Sequence, residues 1–276
     1  MPGRLHKVLE DASTMPSARE RILICVYGDS LSMPRYSEGL PFFQTYPELV
    51  RDVYGRAHPD AIVHLYNRSR GGTAIVTLFE DYLTDTSYFG PGVGDLLIIQ
   101  CGICDCAPRP IPDWLRRGIG RLPEPLRSPI VRFLHKNRSK ILGAGFVWRL
   151  TEPTVFAATY HRWLSQAVQD FKRVCAINIA PTTAAMNEHS AGLAHSIEHY
   201  NHLIAEAVRS VNASNVSLID AHRAITSAPC GIAKYINSAD GHHITADGHA
   251  LYGRLITAVD GSPRLLAEGS RVAAEA

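Results

Sequence analysis

The sequence predicts a three-layer α/β/α sandwich around a parallel sheet of about five strands, and three observations lead there. Short apolar runs rich in β-branched residues recur at 22–27, 61–66, 95–101, 174–180 and 216–220. Helical patterns separate most of these runs, and the first three stop in loops of glycine and polar residues. Strands that alternate with helices at this spacing pair in parallel through βαβ crossovers, which covers both faces of the sheet.

In chain order, 22–27 is continuously apolar, as a strand buried on both faces should be, and it ends at Gly28-Asp29-Ser30. Residues 45–54 and 73–83 read as short helices. Residues 155–172 and 190–211 carry apolar side chains three to four apart, the mark of longer amphipathic helices, and a last helix is expected over 245–259. In an open parallel sheet, ligands bind beyond the carboxyl ends of the strands. Three loops, at 28–30, 70–72 and 102–105, therefore converge on one edge.

One stretch breaks the rhythm. Residues 107–151 hold six prolines and no strand pattern, and read as an insertion or lid. The stretch carries ten Arg and Lys against two acids, a net +8 in a chain of net +2, which leaves the remainder at −6. Such a surface suits an anionic substrate, or a peripheral contact with an acidic membrane. The resulting plan is an N-terminal extension at 1–20, one α/β domain over 21–261 with the lid at 107–151, and a frayed tail at 262–276.

Composition narrows the classes further. With 46% apolar and 20% charged residues among 276, the chain can bury a full core without disulfide or metal staples. No apolar run reaches the roughly 18 residues of a bilayer span, and the first 20 residues lack the apolar stretch of a secretory signal. Six irregularly spaced cysteines do not make a disulfide framework, so the chain reads as cytoplasmic with reduced thiols. No phosphate-binding glycine loop or basic-aromatic surface is present, so no nucleotide cofactor or nucleic acid partner is expected. Oligomeric state leaves no mark in the sequence.

Ser30 directly follows a buried strand, where a hydroxyl can stand exposed beside the backbone amides of a turn, an arrangement that suits a nucleophile. A serine needs a base that titrates near neutrality, and that base needs a carboxylate to fix its tautomer. Asp240 and His243, three residues apart in the turn 240–249, meet both needs locally, with His242 and His249 as competitors. Cys101, Cys104 and Cys106 invite a metal reading. They lack the second Cys-x-x-Cys or His-x3-His partner of zinc modules, and no metal is expected. Arg68, Arg70 and Arg109 are candidates either for structural ion pairs or for bidentate recognition of a carboxylate or phosphate.

Four blocks in order resemble the SGNH hydrolase superfamily, also called GDSL esterases and lipases, over about 21–260. Gly28-Asp29-Ser30 matches the nucleophile block, Asn67 to Thr73 the glycine block, Gly102-Ile103-Cys104-Asp105 the third, and Asp240-Gly241-His242-His243 the last. The resemblance implies a flavodoxin-like sheet and a serine ester hydrolase. Ser30, His243 and Asp240 would be its catalytic residues, and the Ser30 amide, Gly71 or Gly72, and position 104 would face the oxyanion. In the third block the family usually has asparagine where this chain has Cys104, and a thiol is a weak donor. Asn67, Asn187 and Arg109 are the candidate polar groups for completing the hole, while Asp105 is expected to brace the nucleophile loop. Asp29, Arg70, Asp105, Arg109 and His242 are the candidate substrate contacts. The implied substrate is a small ester, an acetyl group on a sugar or polysaccharide precursor. The alternatives are an O-acyltransferase using the same acyl-enzyme, or a catalytically weak module that binds a saccharide or a protein partner.

Overall fold

The computed structural model describes residues 20–90, 92 and 94–259. The tail at 262–276, and the extension apart from Glu20, lie outside the described residues. Five strands, β1 (Arg21–Gly28), β2 (Ile62–Asn67), β3 (Gly94–Gln100), β4 (Phe171–Ile177) and β5 (Val216–Ile219), form one sheet in the order β2-β1-β3-β4-β5. Every neighbouring pair is parallel. This is the expected flavodoxin-like sheet. Between β1 and β3 the chain reverses its direction of travel across the sheet, and the connections diverge to open a crevice at the carboxyl edge.

The first helices are α1 (Tyr46–Ala57), α2 (Ile75–Phe89) and the single turn α3 (Ile103–Cys106). The stretch read as a lid contains α4 (Asp113–Gly120), α5 (Glu124–Lys136) and α6 (Arg138–Gly143). Then come α7 (Pro153–Asp170), α8 (Ala184–His189), α9 (Leu193–Val211), α10 (Ala221–Thr226) and α11 (Ala246–Val259). α2, α7 and α9 pack side by side on one face, while α1 and α11 pack together on the other. On the first face, Tyr27 of β1 meets Tyr82 of α2 and Trp163 of α7 edge-on at 5.5 and 5.9 Å, all three fully buried. On the second, Tyr46 of α1 packs against His249 and Tyr252 of α11. Among the described residues no helix is long and apolar enough to cross a membrane.

Two boundaries differ from the sequence reading for physical reasons. β4 starts at Phe171, immediately after α7 ends at Asp170, because Phe171 packs on Gly94. A Cβ at Gly94 would lie 2.1 Å from the Phe171 ring. α9 starts at Leu193 because Gly192 takes a left-handed φ of 82°. Within 107–151, three of the six prolines stand at helix starts: Pro112 and Pro123 precede α4 and α5, and Pro125 sits in the first turn of α5, while Pro129 lies inside α5. An antiparallel bridge pins the ends of this excursion, with Arg109 N–H donating to Trp148 O at 2.7 Å and Trp148 N–H to Arg109 O at 3.0 Å.

Candidate active site

The carboxyl ends of β1, β2 and β3 are stitched together by backbone hydrogen bonds. Asp29 N–H donates to Gln100 O at 3.1 Å, Arg68 N–H to Val26 O at 2.8 Å, and Arg70 N–H to Gly28 O at 2.9 Å. These bonds carry Ser30 and the 67–73 loop to a common place. Only glycine fits at position 28, since a Cβ there would lie 2.1 Å from Ser32 Oγ and 3.0 Å from Ser69 Oγ. Ser30 then begins a single 3-10 turn, Ser30–Ser32, capped by Asp29 Oδ1, which accepts Leu31 N–H at 2.9 Å. Beneath it, Ser32 Oγ donates to Gln100 Oε1 at 2.9 Å and also meets Tyr46 Oη.

The turn before α11 brings its two candidates to Ser30 from 213 residues away. Ser30 Oγ lies 2.8 Å from His243 Nε2, and His243 Nδ1 lies 2.8 Å from Asp240 Oδ2. The other Asp240 oxygen accepts the amides of His242 and His243, each at 3.0 Å, so the carboxylate is fixed at both ends. The turn seats tightly: Gly241 has φ 77°, and a Cβ there would lie 2.5 Å from Thr183 Oγ1.

Burial pushes the Asp240 carboxyl up, but the two backbone amides and the His243 ring outweigh it and hold it down at about 2. His243 is lowered from its ordinary value, first by burial and then by the adjacent His242; Asp240 opposes this and Arg35 adds to it. At neutral pH the pair is therefore an ionised carboxylate and a neutral imidazole whose Nε2 can accept a proton.

The competing histidines are engaged otherwise. His249 is buried, with its Nδ1 accepting Tyr46 N–H at 3.1 Å, and burial together with His243 pushes it down to about 3. The His242 ring lies against His243, tilted by 44° with centroids 4.0 Å apart, and directs Nδ1 to Asp240 O. Asp240, His242 and His243 are also the group with metal-ligand spacing among the described residues, but His243 Nδ1 and Asp240 Oδ2 already face each other.

Gly71 sits directly against Ser30, where a Cβ would be 3.8 Å from Ser30 Cβ. Gly72, at φ 69°, directs its amide to Cys104 instead. Burial, then the charges of Asp29 and Asp105, pushes the Cys104 thiol up from its ordinary value, which disfavours the thiolate form that a nucleophilic cysteine needs. Asn67 is held in the nucleophile turn, its amide donating to Ser32 O at 3.2 Å and its Oδ1 accepting Ser69 N–H at 3.0 Å. Asn187 accepts Thr182 Oγ1–H at 2.7 Å. Of the three polar groups considered for the oxyanion hole, Arg109 alone contacts the third loop, donating to Cys104 O at 3.3 Å.

The expectation that Asp29 and Asp105 contact substrate is corrected by their placement, since both are fully buried. Asp105 accepts Ile75 N–H at 3.1 Å and the Thr151 hydroxyl, tying α3 to the start of α2 and to the end of the lid stretch. Burial pushes Asp29 up to about 7 and Asp105 up to about 6. Arg68 and Arg70 pair with Asp85 at 3.2 Å and Asp81 at 2.7 Å on the flank of α2, the structural alternative for both. Cys101 and Cys106 are buried packing groups.

Arg35 escaped the sequence reading. Its Nη1 lies 2.8 Å from His243 Nε2, the atom that faces Ser30, and its Nη2 lies 3.3 Å from Asp240 Oδ2 and also pairs with Glu38. Glu38 in turn accepts Asn237 Nδ2–H at 2.7 Å, linking this loop to the histidine turn. The only sequence signal was an arginine and a glutamate three apart, shortly after Ser30.

No family model and no curated protein matches the sequence. Solved structures share its fold. A lipase/acylhydrolase from Enterococcus faecalis aligns with TM-score 0.58 and 16% identity over 85% of this chain and 93% of that one. An acetylxylan esterase from Geobacillus stearothermophilus aligns with TM-score 0.55 and 12% identity, covering 88% and 95%. A member of the lipolytic G-D-S-L family from Veillonella parvula gives 0.55 and 12%, covering 88% and 99%. The likeness in coordinates and the blocks in sequence meet on one architecture: the chain has the fold of the SGNH and GDSL hydrolases.

Proposed function

We propose that the chain is a serine ester hydrolase acting through an acyl-enzyme on Ser30. The observation that carries this reading is the unbroken relay from Ser30 Oγ through His243 to Asp240, two hydrogen bonds of 2.8 Å each. Ser30 Oγ attacks the ester carbonyl while its proton passes to His243 Nε2, and the charge formed on the imidazole is stabilised by Asp240. The oxyanion is held by the amides of Ser30 and Gly71, with Gly72 and Cys104 supporting the loop. Collapse of the tetrahedral adduct breaks the bond to the alcohol, which takes the proton back from His243. Water, deprotonated by the same imidazole, then frees the acid and restores the Ser30 hydroxyl.

An acetyl group on a saccharide is the substrate class we propose, supported by the acetylxylan esterases among the structural neighbours. A fluorophosphonate probe tests the mechanism. Mass spectrometry should find the adduct on Ser30 in the wild type and no adduct in His243→Ala; an unlabelled Ser30 in folded wild-type protein would refute the reading.

A further inference from the structure

A large groove lies beside Ser30 rather than over it. With a volume of about 950 Å³, it runs between α4 and α5 on one side and α8 and residues 238–241 on the other. Asp240 and Gly241 form part of its rim, and so do Ala107 and Arg109, which follow the third loop, so the groove opens onto the edge of the site. Its walls carry two chemistries. Ile119, Val131, Leu134 and Met186 make an apolar flank, and Arg109 and Arg138, with His135 and His189 beside them, make a basic one.

The basic flank is unusual in its partners. Arg138 Nη2 donates to two neutral groups, Pro108 O and Ser190 Oγ, and its buried Nε has no partner. Among the described residues no carboxylate lies within ion-pair distance of Arg138, His135 or His189. The two imidazoles pack on each other at 4.9 Å, and Arg109 reaches its nearest acid, Asp113, only at 3.9 Å. Arg138 is lowered by burial and by Arg109, and His189 by burial, His135 and Arg138, as expected where cations crowd without an anion between them. Two guanidinium charges, with two imidazole rings beside them, converge in one partly apolar groove and match the double charge and several acceptor oxygens of a phosphate monoester.

We propose that this groove binds a phosphate monoester carried on an apolar body, with Arg138 and Arg109 as its forked donors, and that this is the part of the ester substrate remote from Ser30. The assignment of the ligand as substrate rests on the serine-hydrolase reading; the binding site itself does not. Calorimetric titration of Ser30→Ala protein tests it, because binding is then read without turnover. The probes are decyl phosphate below its micellar concentration, inorganic phosphate, and the neutral decyl ether of tetraethylene glycol. Decyl phosphate should bind at least about tenfold more tightly than either control.

Arg138→Gln should weaken that binding about tenfold or more, and so should Val131→Asp, which places a carboxylate in the groove. Val131 is exposed on α5, so its variant keeps the test valid if Arg138→Gln fails to fold. Equal affinity for the neutral ether, or unchanged affinity in a folded Val131→Asp, would overturn the site. Vesicles of phosphatidylcholine doped with phosphatidic acid, a phosphate monoester, separate the sources: co-sedimentation lost in Val131→Asp places the anion in a lipid layer, and binding without co-sedimentation makes the ligand soluble. Fluorophosphonate labelling of the wild type distinguishes the two readings, since decyl phosphate binding with Ser30 unlabelled would keep the site and overturn its role in ester cleavage.

Discussion

Ser30 stands at the end of β1, where six of eight residues are buried, whereas the lid helices α4 and α5 bury no residue at all. The lid is held by its end bridge, by Arg138, by Leu142 of α6 and by the Thr151 contact with Asp105. Its outer faces carry Trp114, Leu126, Phe133 and Phe146, all largely exposed. The proposed chemistry, which depends on tenths of an ångström, is thus mounted on the well-packed sheet edge, and the proposed recognition on a thinly packed excursion whose surface can vary without disturbing the core.

The contrast makes graded predictions. Asp240→Asn keeps the turn but fixes the wrong His243 tautomer, and should lower turnover about ten-thousandfold in a steady-state assay. Trp163→Ala, in the aromatic core beneath the site, should cost about 3–5 kcal/mol in denaturant unfolding. A loss below about 1 kcal/mol there would deny that this face is close-packed. Cys104→Ala should lower turnover by less than about tenfold, against the hundredfold or more expected for a side chain that donates to the oxyanion.

Arg35→Gln removes a cation from beside His243 Nε2. With burial, His242 and Asp240 unchanged, the imidazole rises from its lowered value, and the acid limb of kcat/KM should move to higher pH. Leu126→Ser, on the exposed face of α5, should change stability by no more than about 0.5 kcal/mol. A larger loss would show that the lid is integral to the core.

The same contrast explains what was legible in the sequence. The buried strands are written in unbroken apolar runs, so the sheet and its site loops could be read, and Ser30, Asp240 and His243 could be matched because each sits in a short local block. The lid helices were not recognised because their prolines resemble loop punctuation, although Pro112 and Pro123 in fact stand just before helix starts. Arg35 was invisible for a different reason: its partner His243 is 208 residues away, and no local pattern encodes that approach. Asp29 and Asp105 look like site acids in sequence because burial cannot be read from a loop, and the fold places both beneath the surface.

The central claim is that Ser30 and His243 form one catalytic unit. Hydrolysis of p-nitrophenyl acetate by wild type, Ser30→Ala and His243→Ala, with folding checked by circular dichroism, tests it directly. The account predicts turnover in the wild type and its loss in both folded variants, each by several orders of magnitude. Turnover that survives in folded Ser30→Ala or His243→Ala, or its absence from the wild type, would contradict it.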